Sequence, residues 1–183
     1  MKRKPLLPAM IVTALLCGLA VLLVAGPAGA GTRSLFFFNP ANRAIPDAPN
    51  GGGVLAKLPI RRSGRIADIE VGVRINHSFD ADLNIYLVSP RGKFVELSTD
   101  NGGSGNNYGT GPNNCSGGTV FDDEAPRSIR AGAAPFANQY RPQTPLRALD
   151  GDPLNGTWRL MVFDDDAGAS GTVGCFALRV VPR

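Results

Sequence analysis

The sequence predicts an all-β fold, a β-sandwich, and three observations support this prediction. Apolar and polar side chains alternate over several short segments, which is the two-residue period of half-buried strands. Clusters of Gly, Asn, Asp and Pro separate these segments, and the 183 residues include 23 Gly and 15 Pro. No stretch beyond residue 30 keeps apolar residues at helical spacing for three turns. Two sheets packed face to face are therefore the simplest architecture.

The clearest predicted strand covers residues 65–76, and a hairpin over residues 82–98 follows it. In the strand, one face carries only β-branched apolar residues: Ile69, Val71, Val73 and Ile75. In the hairpin, Leu83 begins the first arm, and Ser89-Pro90-Arg91-Gly92 forms a turn with Pro at its second position. The alternation predicts that one face of each strand is buried.

Two more strands are predicted near the C-terminus, and two long segments are predicted as loops. Trp158 lies on the apolar face of the first strand, and the second covers residues 172–181. Residues 100–118 are rich in Gly and Asn and offer almost nothing to bury, so we expect a surface loop there. Residues 135–153 also lack strand character, and loops of this length are more often functional or specially anchored than incidental.

Residues 1–30 have the layout of a secretory signal peptide. Lys2-Arg3-Lys4 precedes an apolar run, and Gly26-Pro27 breaks that run before the small residues Ala28-Gly29-Ala30. We expect cleavage after Ala30, which places the protein outside the cell or in the periplasm. The apolar run of about 20 residues is also long enough for an uncleaved membrane anchor, so that alternative stays open.

The charge distribution argues against nucleic-acid binding. The formal net charge is +4, but three of the 19 basic residues and none of the 15 acidic residues lie in residues 1–30. The rest of the chain is nearly neutral, whereas nucleic-acid binding needs a concentrated basic face. We therefore expect no nucleic-acid partner, and contact with a membrane only through the N-terminal segment.

Two cysteines, Cys115 and Cys175, remain beyond the N-terminal segment. In an oxidising compartment an isolated pair is most simply a disulfide. A reactive thiol would need a basic neighbour to lower its pKa, and neither cysteine clearly has one. The sequence therefore favours a structural disulfide.

Aspartates cluster at the ends of the predicted strands and have three possible roles. They can form turns by accepting backbone N–H groups, bind calcium, or act as a catalytic carboxyl pair. Calcium is the only cofactor that these three roles involve. Its candidate ligands are Asp80, Asp82, Asp122, Asp123, Asp164 and Asp166. No EF-hand spacing is present.

Catalysis that needs a histidine would depend on His77, the only histidine of the chain. It lies at the end of a predicted strand, and no G-x-S-x-G motif supplies a nucleophile. We expect His77 to be structural, with a hydrogen bond to the backbone of the following turn.

Taken together, these segments resemble the P domain, or Homo B domain, of proprotein convertases over residues 40–181. The matching segments are I-P-D at 45–47, I-A-D-I-E-V at 66–71, A-D-L-N-I-Y-L-V-S-P-R-G at 81–92, V-F-D-D-E-A at 120–125 and G-T-W-R-L at 156–160. The string at 81–92 is moderately specific alone. With G-T-W-R-L at the right distance, the resemblance is strong.

The resemblance implies a single β-sandwich of jelly-roll, galactose-binding-like type over residues 31–183. It implies structural roles for the motif residues His77, Asp82, Leu83, Ser89, Pro90, Gly92, Gly156 and Trp158. We expect Asp82 to cap the turn after His77, and the Trp158 N–H to need one partner.

The resemblance also implies a non-catalytic role, because it covers no protease domain and no catalytic triad. The leading hypothesis is a secreted accessory module that docks on an extracellular subtilisin-like serine protease. The alternative is a module that binds carbohydrate or a cell surface. Loop aromatics for that alternative would be Tyr108, Phe136 and Tyr140.

Overall fold

The computed structural model describes residues 33–47 and 53–183. The unit from Thr32 to Arg183 is compact, and the predicted signal peptide lies outside the described residues. In the described part of the chain, no helix is long and apolar enough to cross a membrane. The predicted all-β sandwich is confirmed.

Ten strands and three short 3-10 helices make up the regular structure of the described residues. The strands are β1 (Leu35–Asn39), β2 (Arg43–Ile45), β3 (Val54–Ile60), β4 (Ile66–His77), β5 (Leu83–Val88), β6 (Phe94–Thr99), β7 (Thr119–Phe121), β8 (Gln139–Tyr140), β9 (Gly156–Asp164) and β10 (Gly171–Pro182). The 3-10 helices are η1 (Asp80–Asp82), η2 (Ile129–Ala131) and η3 (Leu146–Leu149).

The strands form two sheets. The first sheet has the order β1-β10-β4-β7-β8, with β2 also paired to β10, and the second has the order β3-β9-β5-β6. All pairs are antiparallel except β7 with β8, which is parallel. The long strands β4 and β10 pair along most of their length, so they form the centre of the first sheet.

Alternate residues of both sheets point into one core, as the two-residue period requires. The inward residues of β4 predicted from the sequence are buried, and so is Trp158 of β9. The indole Nε1–H of Trp158 donates to the Leu154 carbonyl at 3.0 Å. This contact confirms the predicted partner and satisfies the one polar atom of the largest core side chain.

The predicted hairpin is confirmed as β5 and β6. Its turn is held by Ser89, whose carbonyl accepts the Gly92 N–H and whose hydroxyl accepts the Lys93 N–H. Gly92 and Gly156 both have positive φ, +80° and +125°. A Cβ on Gly156 would lie 2.5 Å from the Cβ of Pro90, so the G-T-W-R-L segment packs directly on the hairpin turn.

The expectation that residues 100–118 bury almost nothing is wrong. Tyr108 is completely buried, and its hydroxyl lies 2.9 Å from the Ser98 hydroxyl. The backbone of Tyr108 exchanges hydrogen bonds with Ile75 of β4. A single aromatic side chain therefore anchors a segment whose other residues are mostly small and polar.

Candidate functional site

His77 ends β4 in a fully buried pair with Asp164, the last residue of β9. Its Nδ1 lies 2.8 Å from the Phe79 carbonyl, as expected for a hydrogen bond to the turn, and its Nε2 lies 3.1 Å from Asp164 Oδ2. Neither side chain reaches solvent. Because a general base must contact the substrate proton, this geometry favours a structural role that joins the ends of the two sheets.

Asp80 begins η1 and holds the segment at 100–118 against the sandwich. Its Oδ1 accepts the Asn107 N–H at 2.7 Å, and its own N–H donates to the Gly105 carbonyl at 2.8 Å. Its Oδ2 is buried without a hydrogen-bond partner among the described residues. Burial raises the pKa of Asp80 to about 7, although the Asn107 N–H and the charges of His77 and Arg74 oppose this rise.

Asp82 lines a cavity of about 380 Å³ beside the same strand ends, which we name the acidic pocket. The pocket is lined by Ser78, Phe79, Asp82, Asp166, Ala167, Gly168 and Ala169. Asp82 is 9% exposed, and burial raises its pKa, as do the charges of Asp164 and Asp166.

The expectation that Asp82 caps the turn after His77 is wrong. No side chain caps the start of η1, and Asp80 instead accepts the nearby backbone N–H of Asn107. The sequence could not distinguish two aspartates that are two positions apart.

The six predicted calcium ligands do not come together, because Asp122 and Asp123 lie at the other end of the first sheet. They follow β7, which runs antiparallel to β4 and pairs Phe121 with Val71. His77 is six positions after Val71 along β4. At about 3.3 Å per residue, Asp122 and Asp123 therefore lie about 20 Å from the aspartates near His77. Within residues 33–47 and 53–183, no three His, Cys, Asp or Glu side chains are grouped to hold a metal ion.

Asp123 acts as a turn former, one of the three roles open from the sequence. Its Oδ1 accepts the Leu146 N–H at 2.8 Å, and its Oδ2 accepts the Arg147 N–H at 2.9 Å. Both donors belong to the first turn of η3, where backbone N–H groups lack a partner within the helix. The carboxylate therefore fastens η3 to the end of β7.

A second cavity lies on the outer face of the first sheet, and we name it the outer groove. Small residues form its floor, because Ala177 of β10 pairs with Gly72 of β4, which pairs with Val120 of β7. Its volume is about 440 Å³, and at one end it meets Phe36 of β1, which is 66% exposed. The groove was not predicted from the sequence, because it requires β1, which was not predicted either.

Charged side chains border the outer groove. Arg179 of β10 pairs with Glu70 of β4 at 3.1 Å, on the same face as Phe36. Burial raises the pKa of Glu70, and the charge of Arg179 opposes this rise. The groove therefore combines an exposed aromatic ring, a shallow apolar floor and one ion pair.

The disulfide predicted between Cys115 and Cys175 is confirmed. The two Cα atoms are 5.6 Å apart, and the bond closes a sequence separation of 60 residues. It fastens the far end of the segment at 100–118 to β10, and Cys115 also borders the outer groove.

The aromatic residues expected to bind sugar are not on the surface. Tyr108 and Phe136 stack with ring centroids 4.7 Å apart, and Tyr140 meets Phe136 edge to face at 5.7 Å. All three side chains are buried in the core. This expectation is wrong because the two long loops fold back onto the sandwich and use these rings as anchors.

A model of the proprotein convertase P-domain matches residues 66–180. The chain belongs to this family. The P-domain is a non-catalytic accessory domain, and the match runs from β4 to near the end of β10. It includes the lining of the acidic pocket and that of the outer groove except for Phe36. The resemblance deduced from the motifs is therefore confirmed.

Two known proteins that resemble this chain, a metalloprotease and a serine protease, are much longer than it. The transglutaminase-activating metalloprotease of Streptomyces mobaraensis is 29% identical over 140 residues, which cover 75% of this chain and 14% of that protein. The crystal structure of a serine protease of Aeromonas sobria matches with a TM-score of 0.50 and 18% identity. The same protease in complex with the chaperone ORF2 matches with a TM-score of 0.51 and 19% identity.

Each of the two serine protease matches covers 82% of this chain and 27% of the other. At this identity the similarity shows the fold alone. The P-domain thus spans about a quarter of the solved proteases and a seventh of the curated relative.

Proposed function

We propose that this P-domain is a secreted, non-catalytic accessory module that docks on an extracellular subtilisin-like serine protease. The observation that carries the proposal is the family match over residues 66–180. The burial of His77 and Asp164 also supports a non-catalytic role, since neither side chain can reach a substrate. The disulfide supports a location outside the reducing cytosol.

The outer groove is the surface that we assign to this docking. Aromatic side chains that enter a partner's pocket dominate the binding energy of many interfaces. Phe36 is exposed at one end of a groove whose floor, Gly72 and Ala177, leaves room for a partner's side chain. The ion pair of Arg179 with Glu70 would lie at the rim, where charges influence orientation more than affinity.

A binding experiment tests the proposal. The unit from Thr32 to Arg183 is immobilised, and purified subtilisin-like serine proteases secreted by the source organism are passed over it. We expect a saturable complex that Phe36→Ser weakens at least 10-fold, which corresponds to a loss of about 1.4 kcal/mol. The matched control is Phe94→Ser in the second sheet, because Phe94 is 63% exposed and lies outside the groove.

A parallel binding experiment with a secreted metalloprotease tests which class of protease is the partner. Binding to the metalloprotease alone would keep the accessory role and contradict the subtilisin-like partner. This experiment is included because the Streptomyces relative is named a metalloprotease.

Equal loss of binding in Phe36→Ser and Phe94→Ser would contradict the assignment of the groove.

A further inference from the structure

Strand β1 forms an open edge of the first sheet. It pairs with β10 on one side, and no described residue forms a backbone hydrogen bond with it on the other side. Exposed strand edges are usually protected by lysine, proline or a bulge. β1 has the sequence L-F-F-F-N and pairs with β10 in regular register, so it has none of these protections.

The hydrogen bonds of β4 show which way the backbone groups of the first sheet point. Ile75 exchanges two backbone hydrogen bonds with Tyr108, on the side of β4 away from β10. Backbone groups of successive strand residues point to opposite sides, and Gly72 is three positions before Ile75. The N–H and C=O groups of Gly72 therefore point towards β10, where its partner is Ala177.

The same alternation continues through β10 into β1. The backbone groups of Ala177 point to β4, so those of the next residue, Leu178, point to β1. The partner of Leu178 in β1 is Phe37, which therefore uses its backbone groups to pair with β10. Phe36 and Phe38 must then direct their N–H and C=O groups to the open edge, where they offer donors and acceptors to a further strand.

Aromatic side chains lie beside this edge on the outer face of the sheet. Phe36 is 66% exposed and lines the outer groove, and Phe38 is on the same face and 36% exposed. Phe37 instead packs against the core. In the groove, Glu70 is paired with Arg179, so the two charges offset each other. A strand added to β1 would extend the groove and cover both exposed rings.

The charges around the edge indicate which kind of segment can bind there. Residues 33–46, which contain β1 and β2, include Arg33 and Arg43 and no acidic residue. Strand β3 is an edge of the second sheet, and Lys57 is its only charged residue. The Lys57 carbonyl accepts from Asn39 Nδ2, which places β3 beside the end of β1. These exposed basic side chains attract an acidic segment and repel a second copy of this chain, which brings the same charges.

We propose that an extended segment of the partner protease, with alternating apolar side chains and acidic residues at its ends, adds to β1 as a further strand. This inference rests on the proposed function, from which it takes the partner. Segments that add to a sheet edge gain affinity from main-chain hydrogen bonds and specificity from alternate side chains. The open backbone groups of Phe36 and Phe38 supply the first, and their rings with the basic side chains supply the second.

A synthetic peptide tests strand addition without the protease. The probe alternates valine and threonine between terminal glutamates, and amide hydrogen exchange is followed by NMR in the unit from Thr32 to Arg183. In the free unit, the Phe37 amide should exchange slowly and those of Phe36 and Phe38 rapidly. Saturating peptide should slow exchange at Phe36 and Phe38 by about 10-fold or more. Rapid exchange at Phe37, or no change at Phe36 and Phe38, would overturn the proposal.

The charge requirement is tested with the same peptide carrying lysines in place of the glutamates. We expect it to bind about 10-fold more weakly or worse, because the basic side chains around β1 repel it. Equal affinity of the two peptides would overturn the choice of an acidic segment.

The key variant is Phe38→Pro, which removes the outward N–H and leaves the hydrogen bonds to β10 in place. The matched control is Phe38→Ser, which lacks the ring but keeps the N–H. We expect the proline variant to bind the acidic peptide about 10-fold more weakly than the serine variant, and equal binding would overturn the proposal. If Phe38→Pro does not fold, a peptide with N-methylated central amides decides, because its undiminished binding to the wild type would have the same meaning.

The inference and the docking proposal fail in different ways. A protease complex that Phe36→Ser weakens, but in which the Phe36 and Phe38 amides exchange as in the free unit, would keep the docking and contradict strand addition. Binding of the acidic peptide without binding of any protease would support strand addition to β1 and contradict the partner taken from the proposed function.

Discussion

Replacing Asp123 by alanine tests whether this carboxylate is a structural cap or a metal ligand. The substitution removes the acceptor of two backbone N–H groups, those of Leu146 and Arg147. Hydrogen bonds to a charged group are worth about 1.5–3 kcal/mol each, but the exposed Arg147 N–H can turn to water. The hydrogen bond from the Leu146 N–H is partly buried, so water replaces the lost acceptor less readily there. We expect a loss of about 3 kcal/mol in the free energy of unfolding.

Urea denaturation of the unit from Thr32 to Arg183 measures this loss, and a parallel thermal scan should show Tm lower by about 6–12 °C. Asp123→Asn should lose about half as much, because it keeps one oxygen acceptor. The control is Asp122→Ala, whose carboxylate accepts only the exposed Glu124 N–H. A loss below about 0.5 kcal/mol, or one that appears only with calcium present, would refute the capping role.

Three further substitutions test other parts of the fold by the same denaturation assay. Replacing both Cys115 and Cys175 by serine should cost about 4 kcal/mol in the chain-entropy model for a 60-residue separation, and an unchanged midpoint would contradict it. Gly156→Ala should cost about 2–4 kcal/mol through positive φ and the contact with Pro90, and a neutral result would show that the turn can move. Tyr108→Phe should cost about 1 kcal/mol by removing the contact with the Ser98 hydroxyl, whereas a larger loss would indicate that the whole segment has detached.

The sequence predicted the strands whose apolar residues alternate without interruption. The bounds of β4, predicted as 65–76, lie within one residue of those observed, and the hairpin and the last strand agree equally well. In β4 the apolar face is buried and most residues of the other face are partly exposed, so the local pattern alone carries the signal. In β10 the residues from Val173 to Leu178 are buried on both faces, and the alternation of large apolar side chains still predicted the strand. The disulfide could also be predicted from the sequence, since only two cysteines remain beyond the N-terminal segment.

The sequence did not predict features that depend on contacts between distant segments. Tyr108, Phe136 and Tyr140 lie in segments with turn-rich composition, and only their mutual stacking in the core explains their presence there. The outer groove likewise requires β1 to pair with β10, which brings Phe36 beside residues more than 140 positions later. No local period encodes such a pairing.

The aspartates show how the same residue type acquires different roles in one fold. The carboxylate of Asp123 accepts hydrogen bonds from two backbone N–H groups, and Asp164 is paired with His77. Asp82 accepts no hydrogen bond from a described residue, but its carboxylate oxygens are not among the buried atoms that lack a partner, so water can solvate them. Composition and spacing could not separate the three, because each follows or precedes a strand. The donors around each carboxylate do separate them. Because both oxygens of Asp123 already accept backbone N–H groups, the loss caused by Asp123→Ala should be the same with and without calcium.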